Sequence, residues 1–284
     1  MTSTFKTAFL LALLTLAFIY LGNVFGGRAG MTIALGIALV MNAGAYWYSD
    51  KLVLKMYKAK EVTPESAPEL FRIVTDVAAG AGIPTPRVYV IPSATPNAFA
   101  TGRNPENAAL AVTQGITQLL EPNELKGVIA HEIGHITNRD ILIGSVAATL
   151  AGAIGYLASM AQWALIFGGF GGRSNNRGGG IGALALLILA PIMALIVQMS
   201  ISRAREYKAD ETSARLTGEP LVLATALKKI SLGNERVPMR TEPATAHMFI
   251  MNPLKGGLAG LFSTHPPVEE RIARLERMAY GSIG

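Results

Sequence analysis

The chain has 284 residues, half of them hydrophobic, only 15% charged and none cysteine. Ordinary soluble domains carry about a quarter charged residues, so this deficit excludes a typical water-soluble enzyme and points to a membrane protein. The missing cysteines exclude disulfides and thiolate metal sites, and the lysines and arginines behind the formal charge of +6 cluster beside apolar stretches, which suits anionic lipid headgroups better than nucleic acid.

In chain order, four uncharged stretches are long enough to cross a bilayer core of about 30 Å as helices: 8–25, 29–48, 141–167 and 181–201. The first is preceded by Lys6 but is too long, and lacks a small-x-small cleavage site, to read as a signal peptide. The second ends in an aromatic cluster suited to the interface. The third is rich in Gly and Ala, so it packs closely but is the least hydrophobic. In the fourth, Pro191 introduces a kink. Lys51, Lys55, Lys58 and Lys60 follow the second stretch, and Arg203, Arg205 and Lys208 follow the fourth. The positive-inside rule therefore places 49–140 and 202–284 in the cytoplasm and the glycine-rich loop 168–180 outside. The expected organisation is a two-helix membrane anchor (1–50), the first part of a cytosolic domain (51–140), a membrane hairpin (141–201) and the second part of that domain (202–284).

Within the cytosolic part, 67–82 has helical spacing ending on glycines. "RVYVI" (87–91), "NAFATG" (97–102) and "NAALAVT" (107–113) read as three strands, and "EPNELKGVIAHEIGHITNRD" from Glu121 as a helix running on toward Ile141. The second part is mostly helical and closes with "PPVEERIARLERM" (266–278), with Pro at its start and Glu in its first turn. The fold class is mainly α and integral to the membrane: four transmembrane candidates and a cytosolic α+β domain with a small three-stranded sheet.

The chemistry centres on "HEIGH" (131–135). His131 and His135, four apart, share a helix face and can bind one zinc ion at about 2.0–2.1 Å. Glu132 is angled off that face and can reach a zinc-bound water as general base. A catalytic zinc needs a third protein ligand, and no HExxHxxGxxH continuation follows. In "SRAREYKAD" (202–210), Glu206 and Asp210 share a face. Glu206 is a candidate ligand and Asp210 an acceptor for a ligand histidine's N–H. By spacing alone, Glu206 is equally well an ion-pair partner of Arg203 or Lys208.

Residues Asn97, Ala98 and Phe99 lead into an edge strand that could bind an extended peptide by backbone pairing, or are simply a strand entry after Pro96. His265 in "STHPP" is a candidate hydrogen-bond donor to a developing oxyanion, or a helix-entry residue. His247 reads as surface or packing. Asp140 reads as a cap or anchor for the membrane hairpin.

"HEIGHITNRD", "SRAREYKAD", "PNAFATG" and "STHPPVEERI", set between paired hydrophobic segments, resemble the HtpX membrane-bound zinc endopeptidases, relatives of the CAAX prenyl proteases. The resemblance spans essentially the whole chain. It implies a gluzincin-like protease domain and one Zn2+ per chain, held by His131, His135 and, as third ligand, Glu206. A His-Pro-Pro lies near the site in that family, which brings in His265. The expected activity is zinc-dependent cleavage of misfolded or damaged membrane proteins at the cytoplasmic side of the inner membrane. Its partners are membrane substrates and the bilayer, not nucleic acid, with room for membrane protease or chaperone partners. The competing readings are a non-catalytic membrane scaffold or metal-handling protein, and an intramembrane protease. The latter is disfavoured by Arg139 and Asp140, which are costly at membrane depth.

Overall fold

The computed structural model describes residues 3–166, 202–238, 245–252 and 266–281. The fourth apolar stretch, the loop 168–180 and His265 lie outside the described residues.

The first helix, α1 (Ser3–Met56), is two arms. It breaks at Gly27, whose φ of 55° and ψ of −142° glycine adopts without a side-chain clash. The arms Phe5–Asn23 and Gly27–Met56 are each long and apolar enough to cross a membrane. They return along one another: Asn42 Nδ2 donates to Thr15 Oγ1 at 2.8 Å and to the Leu11 carbonyl at 3.3 Å. The second arm continues past the expected anchor boundary, and its last turns join the polar domain.

A four-stranded sheet follows, with β1 (Lys60–Glu61), β2 (Arg87–Ile91), β3 (Ala98–Gly102) and β4 (Ala108–Thr113) in the order β1-β2-β4-β3. β2 and β4 are parallel; the outer pairs are antiparallel. The sheet thus has one strand more than expected, because two polar residues carry no alternation signal that would reveal β1. All six residues of β4 are buried. Both faces of the sheet are covered, which is why "AALAVT" reads as a continuous apolar run. On one face Val88, Leu110 and Val112 pack with α2 (Pro68–Gly80), α4 (Pro122–Thr137) and α7 (Pro220–Arg236). On the other, Tyr89, Phe99 and Ala111 meet Val53 and Leu54 of α1, Ala148 of α5 (Ile141–Ile166) and Phe249. A short α3 (Gln114–Leu119) joins β4 to α4, and Thr113 caps it by accepting from Ile116 N–H at 3.2 Å.

The third apolar stretch forms the helix α5, but its apolar part among the described residues, Ile141–Ile154, is shorter than the two candidate spans of α1, and Val146, Leu150 and Ile154 bury against Leu10, Leu14 and Ala45 of α1. The helix bearing the histidines does not run into it. α4 ends at Thr137, Arg139 takes a left-handed φ of 57°, and the Asp140 N–H bonds back to the His135 carbonyl at 2.9 Å. This closed C-terminal turn re-aims the chain before α5 starts. After residue 202 come α6 (Arg203–Thr217), α7 and the closing α8 (Val268–Tyr280).

Candidate active site

α4 starts on a capping box, in which Glu124 accepts from the Glu121 N–H at 2.9 Å, and Pro122 fixes its first turn. It crosses α6 at small residues. A Cβ on Gly134 would lie 3.2 Å from Ala209 Cα, so the two backbones approach closely there. Ser213 Oγ donates to the Gly127 carbonyl at 2.7 Å and locks the crossing. That contact brings Glu206 over the turn of α4 that carries the histidines.

His131, His135 and Glu206 each offer a ligand atom, and these atoms lie within 4.8 Å of one another. His131 Nε2 is 3.7 Å from Glu206 Oε2, and His135 Nε2 is 3.5 Å from Glu206 Oε1. Tetrahedral zinc with bonds of about 2.0–2.1 Å puts its ligand atoms about 3.4 Å apart, so the trio is close to that spacing before any adjustment. Each histidine has its own carboxylate behind it. His131 Nδ1 is 2.9 Å from Asp210 Oδ1, and His135 Nδ1 is 3.7 Å from Asp140 Oδ2. Such partners fix the ring so that Nε2 would face a metal held by the trio.

The electrostatics are consistent with metal ligation. Burial, aided by the nearby Arg271 charge, pushes the pKa of His131 down to about 4 against the pull of Asp210. This imidazole is therefore neutral and free to ligate at neutral pH. Burial also lowers His135, but Asp140, Glu206 and Glu132 outweigh it and carry the pKa up to about 9. Convergent carboxylates that favour a proton there would equally favour a divalent cation. Glu132 is 1% exposed, and burial raises its pKa to about 7, where a general base working near neutrality belongs. The Ala100 N–H of β3 donates to it.

Arg271 of α8 carries a role that sequence reading missed. It is fully buried. Its Nε and Nη2 donate to Asp210 at 3.0 and 2.7 Å, and its Nη1 donates to the Ile250 carbonyl at 3.0 Å. Nη1 is also 3.7 Å from Glu206 Oε2, and Nη2 lies 3.3 Å from His131 Nδ1. Asp210 is thereby held below the usual carboxylate range; burial works the other way and is outweighed by Arg271 and His131. The signal was present in the sequence: Arg271 falls on the apolar stripe of α8 with Val268, Ile272 and Leu275, where a charge needs a buried partner.

A cleft opens beside the trio, lined by Ala100, Glu132, Arg205, His247, Phe249 and the start of α5. His247, read as surface or packing, instead faces this cleft with Nε2 3.3 Å from the Gly144 carbonyl. Arg205 lies 3.9 Å from Asp140, and its Nη1 is buried without a hydrogen-bond partner. Asp140 supports His135 and Arg205 and directly precedes α5. Asn97, Ala98 and Phe99 stand behind the cleft wall, with Ala100 as the β3 residue in its lining. Asn97 clasps the Met251 backbone at 2.9 and 3.3 Å, the Ala98 carbonyl accepts from Ile250 N–H at 3.0 Å, and Phe99 packs edge-on to Phe249.

Comparison with known proteins extends this picture. The model of peptidase family M48 matches residues 64–279. A "Protease HtpX homolog" of Syntrophotalea carbinolica is 55% identical over 97% of this chain and 99% of its own. Another, of Desulfatibacillum aliphaticivorans, is 57% identical over 97% of this chain and 89% of its own. These matches bear out the resemblance to HtpX proteases. The crystal structure of S. mikatae Ste24p superposes with a TM-score of 0.54 at 19% identity. It covers 96% of this chain, which spans 65% of the Ste24p length, and shows a shared fold.

Proposed function

The chain belongs to peptidase family M48, and on that premise we propose that it is a membrane-bound zinc endopeptidase cutting membrane proteins at the cytoplasmic surface. The observation that carries the reading is the convergence of His131, His135 and Glu206 beside a buried Glu132. Bound by those three side chains, zinc would supply Lewis-acid polarisation of a water and of the scissile carbonyl. Glu132 takes the proton from the attacking water and passes it to the departing amine. Asp210 and Asp140 hold the two imidazoles, and Arg271 holds Asp210. Arg205 lines the cleft beside Asp140. Asn97 and Phe99 shape the opposite wall by fixing residues 249–251.

Membrane substrates are favoured because Ile141 and Gly144, at the head of α5, form part of the cleft, and α5 packs directly on the α1 arms. Misfolded or damaged inner-membrane proteins are the substrate class we propose, and the basic residues after the apolar stretches support a cytoplasmic site. The test is casein and membrane-substrate cleavage by the full chain in detergent with zinc. Glu132→Gln should keep one zinc per chain and lose cleavage by about a hundredfold or more. Cleavage at the wild-type rate by that variant would refute the mechanism, and no cleavage by zinc-loaded wild type would favour the scaffold reading.

A further inference from the structure

One face of the second α1 arm changes character along its length. Ile33, Ile37 and Val40 are exposed and apolar, Trp47 and Tyr48 are exposed and aromatic, and Lys51 and Lys55 are exposed and basic. Spacings of three, four and seven place these residues on one stripe. The helix then ends in a tight reversal. Lys58 takes a left-handed φ of 52°, and the Ala59 N–H bonds back to the Leu54 carbonyl at 2.9 Å. This reversal sets Lys58 and the side of β2 opposite the helix. The result is a groove rimmed by Lys51, Lys55, Lys58 and Arg87 and floored by Leu54 and Tyr89.

The nearby acids do not neutralise it. Asp50 is taken by Arg87 at 2.6 Å, and Glu61 accepts from the Tyr89 hydroxyl at 2.9 Å. Lys51 Nζ stands 5.4 Å over the Tyr48 ring, and none of the three lysines has an ion-pair partner among the described residues. Depth fits as well. At 1.5 Å per residue, Lys51 lies about 6 Å and Lys55 about 12 Å beyond Trp47 along the helix. A polar headgroup layer is about 5–8 Å thick on each side of the hydrocarbon, with aromatic side chains at its level.

Resting on the reading of the chain as a membrane protein, we propose that this groove seats the headgroup of one anionic phospholipid. Its phosphate lies among Lys51, Lys55 and Lys58, and its acyl chains run past Trp47 and Val40. A zwitterionic headgroup carries its own ammonium, which three lysines repel, so the groove selects phosphatidylglycerol-type lipids over phosphatidylcholine.

The experiment is binding of fluorescent short-chain phosphatidylglycerol and phosphatidylcholine to the full chain in neutral detergent, read by anisotropy. Wild type should prefer phosphatidylglycerol. Each lysine removed should weaken that binding about fivefold, and Lys51→Gln/Lys55→Gln/Lys58→Asn on the order of a hundredfold. Asn is chosen at 58 because it tolerates the left-handed backbone. Lys60→Gln, exposed nearby but outside the groove, should leave the preference intact. Circular dichroism and zinc content report that the variants are folded. Three results would overturn the proposal: an undiminished preference in the triple variant, an equal loss in Lys60→Gln, or equally tight binding of soluble glycerol phosphate, which would mark a free-anion site. Protease activity plays no part in the readout, and failure of the membrane reading shows separately, as a chain that stays soluble without detergent.

Discussion

Replacing Arg271 by Met keeps an unbranched apolar stem but removes the guanidinium that Asp210 pairs with. Asp210 is 1% exposed and receives two of its hydrogen bonds from Arg271, at 2.7 and 3.0 Å. Removing one partner of a buried ion pair costs about 3–5 kcal/mol, because the remaining charge is left without compensation. For a domain of this size each kcal/mol lowers the unfolding midpoint by about 2–4 °C, so Arg271→Met should lower it by about 6–20 °C. Thermal unfolding of the zinc-free chain in detergent, followed by tryptophan fluorescence, measures the shift without metal binding adding to it. The cause is isolated by adding Asp210→Asn. If the stranded charge accounts for the loss, the double variant recovers about 2 kcal/mol relative to the sum of the single changes. Strict additivity, to within about 0.5 kcal/mol, would refute the argument. Arg271 would then act only by filling space and by its bond to the Ile250 carbonyl.

Three other outcomes are expected. Glu206→Gln should lose zinc on dialysis while the histidines remain, as read by metal analysis; retention of one zinc per chain would show that the third ligand lies elsewhere. Asp140→Asn should weaken zinc affinity about 10- to 100-fold through His135, measured by competition with a chelator. Gly134→Val places methyl groups where even a Cβ stands 3.2 Å from Ala209 Cα. It should cost about 1–3 kcal/mol of stability and reduce cleavage together, by displacing α6 from α4.

Much of this centre was legible because metal chemistry imposes short-range spacing. His131, Glu132 and His135 lie within five consecutive residues, just over one helical turn, so sequence order alone places them. Glu206 was ambiguous by spacing, and only the family resemblance singled it out. Its position depends on the Gly134–Ala209 crossing, a tertiary fact that no local pattern encodes. His247 was missed for the same reason, its partner being 103 residues away; the apolar stripe of α8 signals that Arg271 is buried, but not that its partner is Asp210, 61 residues away. The three longer strands were readable from apolar runs, whereas β1 exists only because the reversal at Lys58 delivers two polar residues to the edge of β2. The break between α4 and α5 was hidden because Arg139 stands in the left-handed turn where glycine would have announced it.

The crossing of α4 and α6 also sets an order of events in biosynthesis. A ribosome makes the two histidines first, then the apolar stretches, then Glu206, and last the arginine that steadies Asp210. A nascent chain halted anywhere before residue 206 carries the general base and two imidazoles but no closed ligand set. Folding proceeds from the N-terminus during synthesis, so the ligand set can close only after the stretch between His135 and Glu206 has been made. The ligand set is therefore completed late, when the two apolar arms of α1 and most of the sequence have already been made.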